Sequence, residues 1–344
     1  AWPLYCRGSC MAIKQLGKKG IFLTFIAISI IATLIIMLTP SDINLSEDAQ
    51  AIKTRVSNVN NYVFDLENVY LERTLQSAGI KTIISLIRYM QAKGQFLTDF
   101  EADFKEVMLN GTINKVPIDS ITGQNIMKGN TYTNLTNKII NVSKNIFNVD
   151  TTFTINDIKV YQIRPWFVNI DANISFSVNS ETASWNKEND IIKAEIEIEN
   201  FNDPYYLIST GGSYVNKIRR SGTKFDEWNV EKVKDFIRDG NYTHWENGNA
   251  PSFIMRFTND LGASICCGIE NLVNPNNPAI SDKDVSYADY KYWSTAPLCR
   301  NPNLYIVNGI TGPFPLFPNF KLDLDHIVNY NILSDAVLKC PPAP

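Results

Sequence analysis

The longest uninterrupted hydrophobic stretch of the chain lies close to its N-terminus. Residues 21–38 read IFLTFIAISIIATLIIML, eighteen residues without a charge, a glycine or a proline. A helix rises 1.5 Å per residue and a bilayer core is about 30 Å thick, so about twenty apolar residues span it. The pattern therefore predicts a transmembrane helix over 21–38, and Pro40 marks its exit.

The charges on the two sides of this segment differ in sign. Residues 1–20 contain four basic side chains and no acid, whereas Asp42, Glu47 and Asp48 follow the segment. By the positive-inside rule, residues 1–20 are cytoplasmic and the bulk of the chain is extracytoplasmic. The alternative is a secretory signal peptide, but no A-x-A-like cleavage site follows the apolar run. We therefore expect a retained anchor, with the lipid bilayer as the first partner.

A seam of apolar residues at heptad-like spacing follows the exit. Its positions are Ile52, Val56, Val59, Val63, Leu66 and Tyr70. The spacing predicts a helical stalk over 39–78 that ends near Ser77, because Gly79 interrupts the pattern. The seam packs either on the protein's own globular part or in an intermolecular coiled coil. We favour the first, since only three heptads are present.

The region 79–148 is expected to be helical. Apolar periodicity predicts helices over 80–91, 96–109 and 130–148. Phe96, Phe100 and Phe104 recur every four residues and form an aromatic stripe on one helix face. Such a stripe is more typical of a core than of a ligand site.

From Thr151 the period of the pattern changes to two. Apolar and polar residues alternate through about residue 199, which is typical of half-buried antiparallel strands. Glu195, Glu197 and Glu199 share one strand face, either as a solvated surface or as oxygen ligands for Ca²⁺, and we favour the solvated surface. Beyond this region the pattern predicts short strands at 205–209, 253–257, 304–307 and 320–324 and an amphipathic helix at 225–238.

These elements together define the expected fold class, which is α+β. An N-terminal transmembrane helix continues into a helical stalk, a small helical layer follows, and a mainly antiparallel, β-rich extracytoplasmic domain occupies 149–344. The 344-residue length and the 44% hydrophobic content suit a folded chain of this kind.

Charge and motif content exclude several classes of function. Beyond residue 40 the chain carries 28 Lys and Arg against 35 Asp and Glu, a net charge of −7, so we expect no nucleic acid partner. No nucleotide-binding or zinc-protease motif is present, and His244 and His326 are the only histidines. On a strand, Asp323 and His326 would point to opposite faces. We therefore predict no catalytic residue, no cofactor and no metal.

Sequons and cysteines fall mostly on the extracytoplasmic side. The six N-x-S/T sequons are at Asn44, Asn110, Asn134, Asn141, Asn173 and Asn241. We treat all six as glycosylation candidates, because an exported segment is accessible to the glycosylation machinery.

Four cysteines on that side, Cys266, Cys267, Cys299 and Cys340, are disulfide candidates. Each of the two adjacent cysteines is expected to pair with Cys299 or Cys340, rather than with its neighbour. Cys6 and Cys10 precede the span.

Several aromatic residues lie in polar, loop-like stretches of the C-terminal half. Trp228, Trp245, Tyr290 and Trp293 are candidates for stacking against sugar rings. The alternative is that they are part of the core, as most aromatic residues in β-rich domains are. The stacking interpretation requires that the rings be exposed.

Two resemblances follow from short motifs. Lys18-Lys19-Gly20 directly before the apolar run resembles the processing site of type IV pilin precursors, which are cut after the glycine. Phe25 stands where most pilins carry the Glu used in filament assembly. The chain also resembles a group of uncharacterised archaeal membrane-anchored surface proteins, in stretches such as 183–186, 201–206 and 251–256. That resemblance implies an anchored α+β ectodomain and no particular reaction.

The sequence thus favours a single-pass, membrane-anchored surface protein that is pilin-like and not an enzyme. Its role would be structural, adhesive or in contacts with other cell-envelope proteins or glycans. The alternative is an extracytoplasmic carbohydrate-binding or glycan-processing protein that uses the Tyr and Trp loops. A third hypothesis, a true pilin subunit, requires cleavage after Gly20 and filament formation.

Overall fold

The structure is a computed structural model that describes residues 26–33, 46–181, 183–294, 304–311, 317 and 319–339. The chain divides into two compact units, residues 1–55 and residues 56–344. Residues 26–33 are helical, and the rest of the predicted span over 21–38 lies outside the described residues. In the described part of the chain, none of the helices combines the length and the apolar character needed to cross a bilayer.

A long helical segment covers residues 46–93. It consists of helix α1 (Ser46–Asp65), a π-helical turn (Leu66–Tyr70) and helix α2 (Leu71–Lys93). Helical backbone angles at Asp65 and Leu71 show that the turn does not interrupt the segment. The segment ends at Gly94, which has a left-handed φ of 65° and donates its N–H to Met90 O at 2.7 Å. The predicted stop near Ser77 is therefore wrong.

The predicted apolar seam is confirmed in part. Val59, Val63 and Leu66 are buried in the core of the 56–344 unit, as expected for a seam that packs on the protein itself. Tyr70 is instead exposed, and Leu71 and Leu75 are buried in its place. The π-helical turn adds one residue to the helix, so every position after it rotates relative to the seam.

The main sheet is a three-stranded antiparallel meander. Its strands are β3 (Asp150–Arg164), β4 (Phe167–Asn179) and β5 (Ser184–Glu197), in that order. Even-numbered residues of β4 from Val168 to Val178 are buried, which confirms the predicted period of two. The chain is therefore of mixed α+β architecture with antiparallel sheets, as predicted.

Helix α2 packs on the buried face of this sheet at Gly79. A Cβ atom at Gly79 would lie 2.3 Å from Ile170 Cδ1 and 2.7 Å from Ile196 Cδ1. Close to this contact, Gln76 Nε2 donates to Glu195 O at 2.7 Å. The glycine therefore permits close packing of helix on sheet and does not end the helix.

Replacing Gly79 by Ala is expected to destabilise the protein. Overpacking of a tight core contact costs about 1–3 kcal/mol, and the better helix propensity of Ala offsets about 1 kcal/mol of it. Urea unfolding of the detergent-solubilised chain measures the change. Ser77→Ala, at an exposed position of the same helix, is the matched control and should not destabilise. Equal stability of the two variants would contradict the close-packing role.

The segment that follows α2 in the sequence and precedes β3 forms a small helical layer. Its elements are α3 (Phe100–Asn110), a hairpin of β1 (Thr112–Ile113) and β2 (Val116–Pro117), α4 (Ile118–Thr122), α5 (Tyr132–Val142) and a π-helical turn (Ser143–Phe147). Phe100 and Phe104 are buried, as predicted. Phe96 precedes the helix, because Asp99 caps its N-terminus by accepting the Ala102 N–H at 3.1 Å.

The part of the chain after β5 is less regular than predicted. Its elements are α6 (Pro204–Ser209), α7 (Val230–Asp239), α8 (Asp289–Tyr292), β6 (Leu304–Val307), β7 (Lys321–Asp323), α9 (Leu324–Asn329) and β8 (Ala336–Leu338), with short 3₁₀ turns at Phe225–Glu227, Met255–Thr258, Asn308–Thr311 and Leu333–Asp335. The predicted strands at 205–209 and 253–257 are wrong. Asp203 accepts the Tyr205 N–H and Pro204 occupies the first helical turn, so the first of these segments begins a helix.

Candidate functional site

The described sequon asparagines differ in exposure. Asn110, Asn134 and Asn141 are exposed, whereas Asn173 and Asn241 are half-buried. Asn134 and Asn141 lie one heptad apart on α5, so their side chains share one face of that helix. The sixth sequon, at Asn44, and the candidate processing site at Gly20 lie outside the residues that the structure describes.

Cys266 and Cys267 form a disulfide with each other. The sequence-based preference for separate, long-range partners is therefore wrong for these two residues. The backbone bends at residues 265–266, and the Cys267 N–H donates to Ser264 Oγ at 3.1 Å. Cys299 and Cys340, like Cys6 and Cys10, lie outside the described residues.

The candidate sugar-stacking rings are not exposed. Trp228, Trp245 and Tyr290 are buried and Trp293 is half-buried. Trp228 packs edge-on against Tyr330, with ring centroids 4.8 Å apart, and Trp245 packs in the same way at 5.3 Å. The expectation of exposed platforms is wrong, because irregular loops of this region enclose the rings within the hydrophobic core.

The carboxylates of Glu195 and Glu197 on β5, and of Glu199 just after it, pair with arginines. Glu195 accepts from Arg164, whereas Arg220 lies 3.5 Å from Glu197 and 3.1 Å from Glu199. This arrangement agrees with a solvated face. Within the described residues, no group of three or more His, Cys, Asp and Glu side chains is placed to hold a metal ion.

A buried acid–histidine–acid cluster lies beneath these aromatic rings. His326 Nδ1 is 2.7 Å from Asp323 Oδ2, and His326 Nε2 is 3.2 Å from Glu270 Oε2. Trp245 Nε1 and Tyr330 Oη both donate to Glu270 Oε1, at 2.8 and 2.7 Å. All of these side chains are buried or nearly so.

The sequence-based expectation that Asp323 and His326 point apart is wrong. Asp323 is the N-cap of α9 and not a mid-strand residue, so His326 lies on the first turn of that helix and faces back toward the cap. An Asp followed three residues later by a polar side chain is a recognised N-terminal helix signal. The three-residue spacing of Asp323 and His326 can therefore be read from the sequence. The contact of His326 with Glu270, 56 residues away, cannot be predicted from it.

The electrostatics of this cluster favour a charged histidine. Burial by itself lowers the pKa of His326, but attraction to Glu270 and hydrogen bonds to Asp323 and Glu270 outweigh it and raise the pKa to about 10. Burial likewise disfavours ionised Glu270, yet the neighbouring His326 holds the pKa of this carboxyl below its usual value. The cluster is therefore an ionised, buried carboxylate–imidazolium–carboxylate array.

A second buried cluster is centred on Arg256. Arg256 Nη1 is 2.6 Å from Asp203 Oδ2 and 2.7 Å from Asp289 Oδ2, and all three side chains are fully buried. Arg256 Nη2 donates to Ile269 O, and Tyr242 Oη donates to Asp203 at 2.7 Å. Burial is the main reason that the pKa of Asp289 is raised to about 6. Asp203 also caps α6, so this cluster joins the start of α6 to the 3₁₀ turn of Arg256 and to the start of α8.

Both clusters are enclosed by the protein. A hydrolytic triad requires a nucleophile hydrogen-bonded to the histidine, and in the described residues His326 bonds only to Asp323, Glu270 and Tyr290. The residue is 2% exposed, so its ring has almost no contact with solvent. Ionic groups at this depth stabilise one arrangement of the loops around them, since any other arrangement leaves a charge unpaired.

The surface carries an open groove where α2 meets the end of β5. Its volume is about 580 Å³, with Ile80, Ile84 and Phe201 among the apolar residues that line it. Arg88, Glu199 and Lys217 are among the residues of its polar rim. A groove with apolar and charged positions of both signs is suited to contact with another protein surface.

Comparison with protein-family models, with curated proteins and with solved structures finds no match for this chain. The inference of function therefore depends on the chain's own residues.

Proposed function

We propose that this chain is a single-pass membrane-anchored protein with an extracytoplasmic, non-enzymatic head. The apolar segment 21–38 anchors it in the bilayer, and the positive charges of residues 1–20 keep the N-terminus in the cytoplasm. The head serves contacts with other components of the cell envelope, in the manner of a pilin-like structural or adhesion protein.

The observation that carries the proposal is the exposure of the helix over residues 26–33. Ile26, Ile28, Ile30 and Ile31 are 44–64% exposed. At 100° per residue these side chains point in several directions around the helix axis. Residues 26–33 carry no charge, and the polar ones are Ser29 and Thr33, of which Thr33 Oγ1 donates back to Ser29 O at 2.7 Å. A helix of this composition is stable in hydrocarbon, and in water it would expose a large apolar surface.

Two further observations support a structural head. Within the 56–344 unit, helix α2 packs closely on the antiparallel meander at Gly79, which gives the head a rigid helix-on-sheet core. The ionisable clusters of the head are closed to solvent, and the groove beside α2 has the mixed lining of a protein contact. The rings on which the sugar-stacking alternative depended are buried or half-buried, so they do not support it.

The double variant Ile28→Arg/Ile31→Arg tests the anchor. An arginine near the centre of a membrane helix costs about 2.5–3.5 kcal/mol in insertion, so the variant is expected to move from the membrane pellet to the soluble fraction. Ile28→Leu/Ile31→Leu is the matched control and should stay in the membrane. Recovery of the wild-type chain in the soluble fraction without detergent would refute the proposal.

A further inference from the structure

An open polar depression lies between the end of α3 and the start of α5. Its volume is about 470 Å³, within the range of about 300–1,000 Å³ that small-molecule sites occupy. Most of its lining is polar or glycine, including Asp119, Ser120, Asn125, Lys128 and Thr131. We call this feature the 110–134 depression, after the first and last residues that line it.

Both of these limiting residues are sequon asparagines. Asn110 ends α3 and Asn134 lies in the first turn of α5, and both are exposed. Within the described part of the chain, neither carboxamide makes a hydrogen bond to another residue, and the same is true of Asn125 between them. Two glycosylation candidates from different elements therefore border one depression. Asn141, on the same helix face as Asn134, does not line it.

The floor of the depression is held in place by its own hydrogen bonds. Asp119 accepts the backbone N–H groups of Ile126, Met127 and Lys128 at 3.0, 3.0 and 2.8 Å. Lys138 Nζ donates to Gly129 O at 2.7 Å and joins the loop to α5. A loop organised in this way loses little conformational freedom when a ligand binds.

We propose that the 110–134 depression binds an N-linked glycan carried by the chain itself, attached at Asn110 or Asn134. The sugar nearest the asparagine lies against the loop, with its hydroxyl and amide groups hydrogen-bonded to polar side chains such as Asn125. Carboxamide, hydroxyl and ammonium groups of the lining supply both donors and acceptors to such a sugar. The inference rests on the extracytoplasmic placement proposed above, since glycans are added on that side.

The modification itself is a group transfer from a polyprenyl pyrophosphate-linked oligosaccharide. The bond from C1 of the first sugar to the pyrophosphate oxygen breaks, and a bond from C1 to the asparagine Nδ2 forms. The amide loses one proton, and the polyprenyl pyrophosphate leaves. The role of the folded chain in this reaction is to hold the acceptor asparagine at the border of the polar depression.

The test uses the full-length chain made in yeast, so that the probe is an oligomannose glycan of defined composition. Asn110→Gln, Asn134→Gln and the double variant remove the attachment points, and Asn141→Gln is the matched control. Glycopeptide mass spectrometry gives site occupancy. Hydrogen exchange of residues 111–131 is measured on the intact glycoprotein and after endoglycosidase trimming to a single N-acetylglucosamine.

We expect the glycan to slow amide exchange in 111–131 roughly tenfold, through a lower population of the open loop. The single remaining sugar should retain most of this protection, and the double variant should lose it, whereas Asn141→Gln should not change it. Equal exchange in the glycosylated and double-variant proteins, or no glycan at either asparagine, would overturn the inference. Membrane fractionation of the same samples tests the anchor separately. A failure of the proposed anchor can therefore be distinguished from a failure of the proposed glycan site.

Discussion

Replacing Arg256 by Met is expected to lower the free energy of unfolding by about 3–5 kcal/mol, the usual cost of leaving a buried charge without its partner. The substitution removes the group that lies 2.6 Å from Asp203 and 2.7 Å from Asp289, while both carboxylates remain buried. Equilibrium urea unfolding of the detergent-solubilised chain at pH 7 measures the loss.

Arg238 offers a matched control for this experiment. It is an arginine on α7 whose guanidinium pairs with Asp235 and Asp239, but on the exposed surface. Arg238→Met is expected to change the free energy of unfolding far less than Arg256→Met, because exposed ion pairs contribute little. If both arginine variants lost the same small amount, the Arg256 cluster would not stabilise the fold in the way described.

The Arg256 variant should also respond to pH in a defined direction. In the wild type, the raised pKa of Asp289, about 6, means that the folded state holds this proton more tightly than the unfolded chain does. By linkage, the Asp289 contribution to stability is greatest below about pH 4 and is lost as the pH rises through 6. Without Arg256 the carboxyl protonates still more readily, so the deficit of the variant should be smaller at pH 5 than at pH 8.

The regular half of this fold can be predicted from the sequence, because each of its elements follows from a pattern of residues close together in the chain. Strands β3, β4 and β5 follow one another in a meander, and each shows its own alternation of buried and exposed residues, as in 194–199. The seam through Val59 and Val63 was readable for the same reason. Gly79 was misread, because a glycine within a helical pattern indicates either a break or a close approach, and only the position of Ile170 distinguishes them.

The irregular half was not accessible, because its order depends on contacts between distant residues. Residues 268–271 illustrate this. The Gly268 carbonyl lies 2.7 Å from His244 Nδ1, the Ile269 carbonyl accepts from Arg256, and Glu270 meets His326. None of these pairs has a periodic signature. A loop region that appears polar in sequence thus becomes a core in which buried ions and aromatic rings replace strand pairing.

Removing the charged imidazole should destabilise the protein about as much as removing Arg256. His326→Gln leaves Glu270 and Asp323 buried with weaker partners, and we expect a loss of about 3–5 kcal/mol at pH 6. The free energy of unfolding of the wild type should fall as the pH becomes alkaline. The folded-state pKa of His326, about 10, exceeds the ordinary value of 6.5, so its contribution is complete below pH 6.5 and is lost as the pH rises through 10.

Urea unfolding at several pH values between 6 and 10 tests this interpretation. A shift from 6.5 to about 10 corresponds by linkage to about 4–5 kcal/mol of stability lost across that interval. His326→Gln should abolish this loss, because Gln does not titrate. His244→Gln, at the second histidine of the chain, should preserve it. A wild-type profile that is flat from pH 6 to 10 would mean that folding does not raise the pKa of His326, and the ionised cluster would then have to be abandoned.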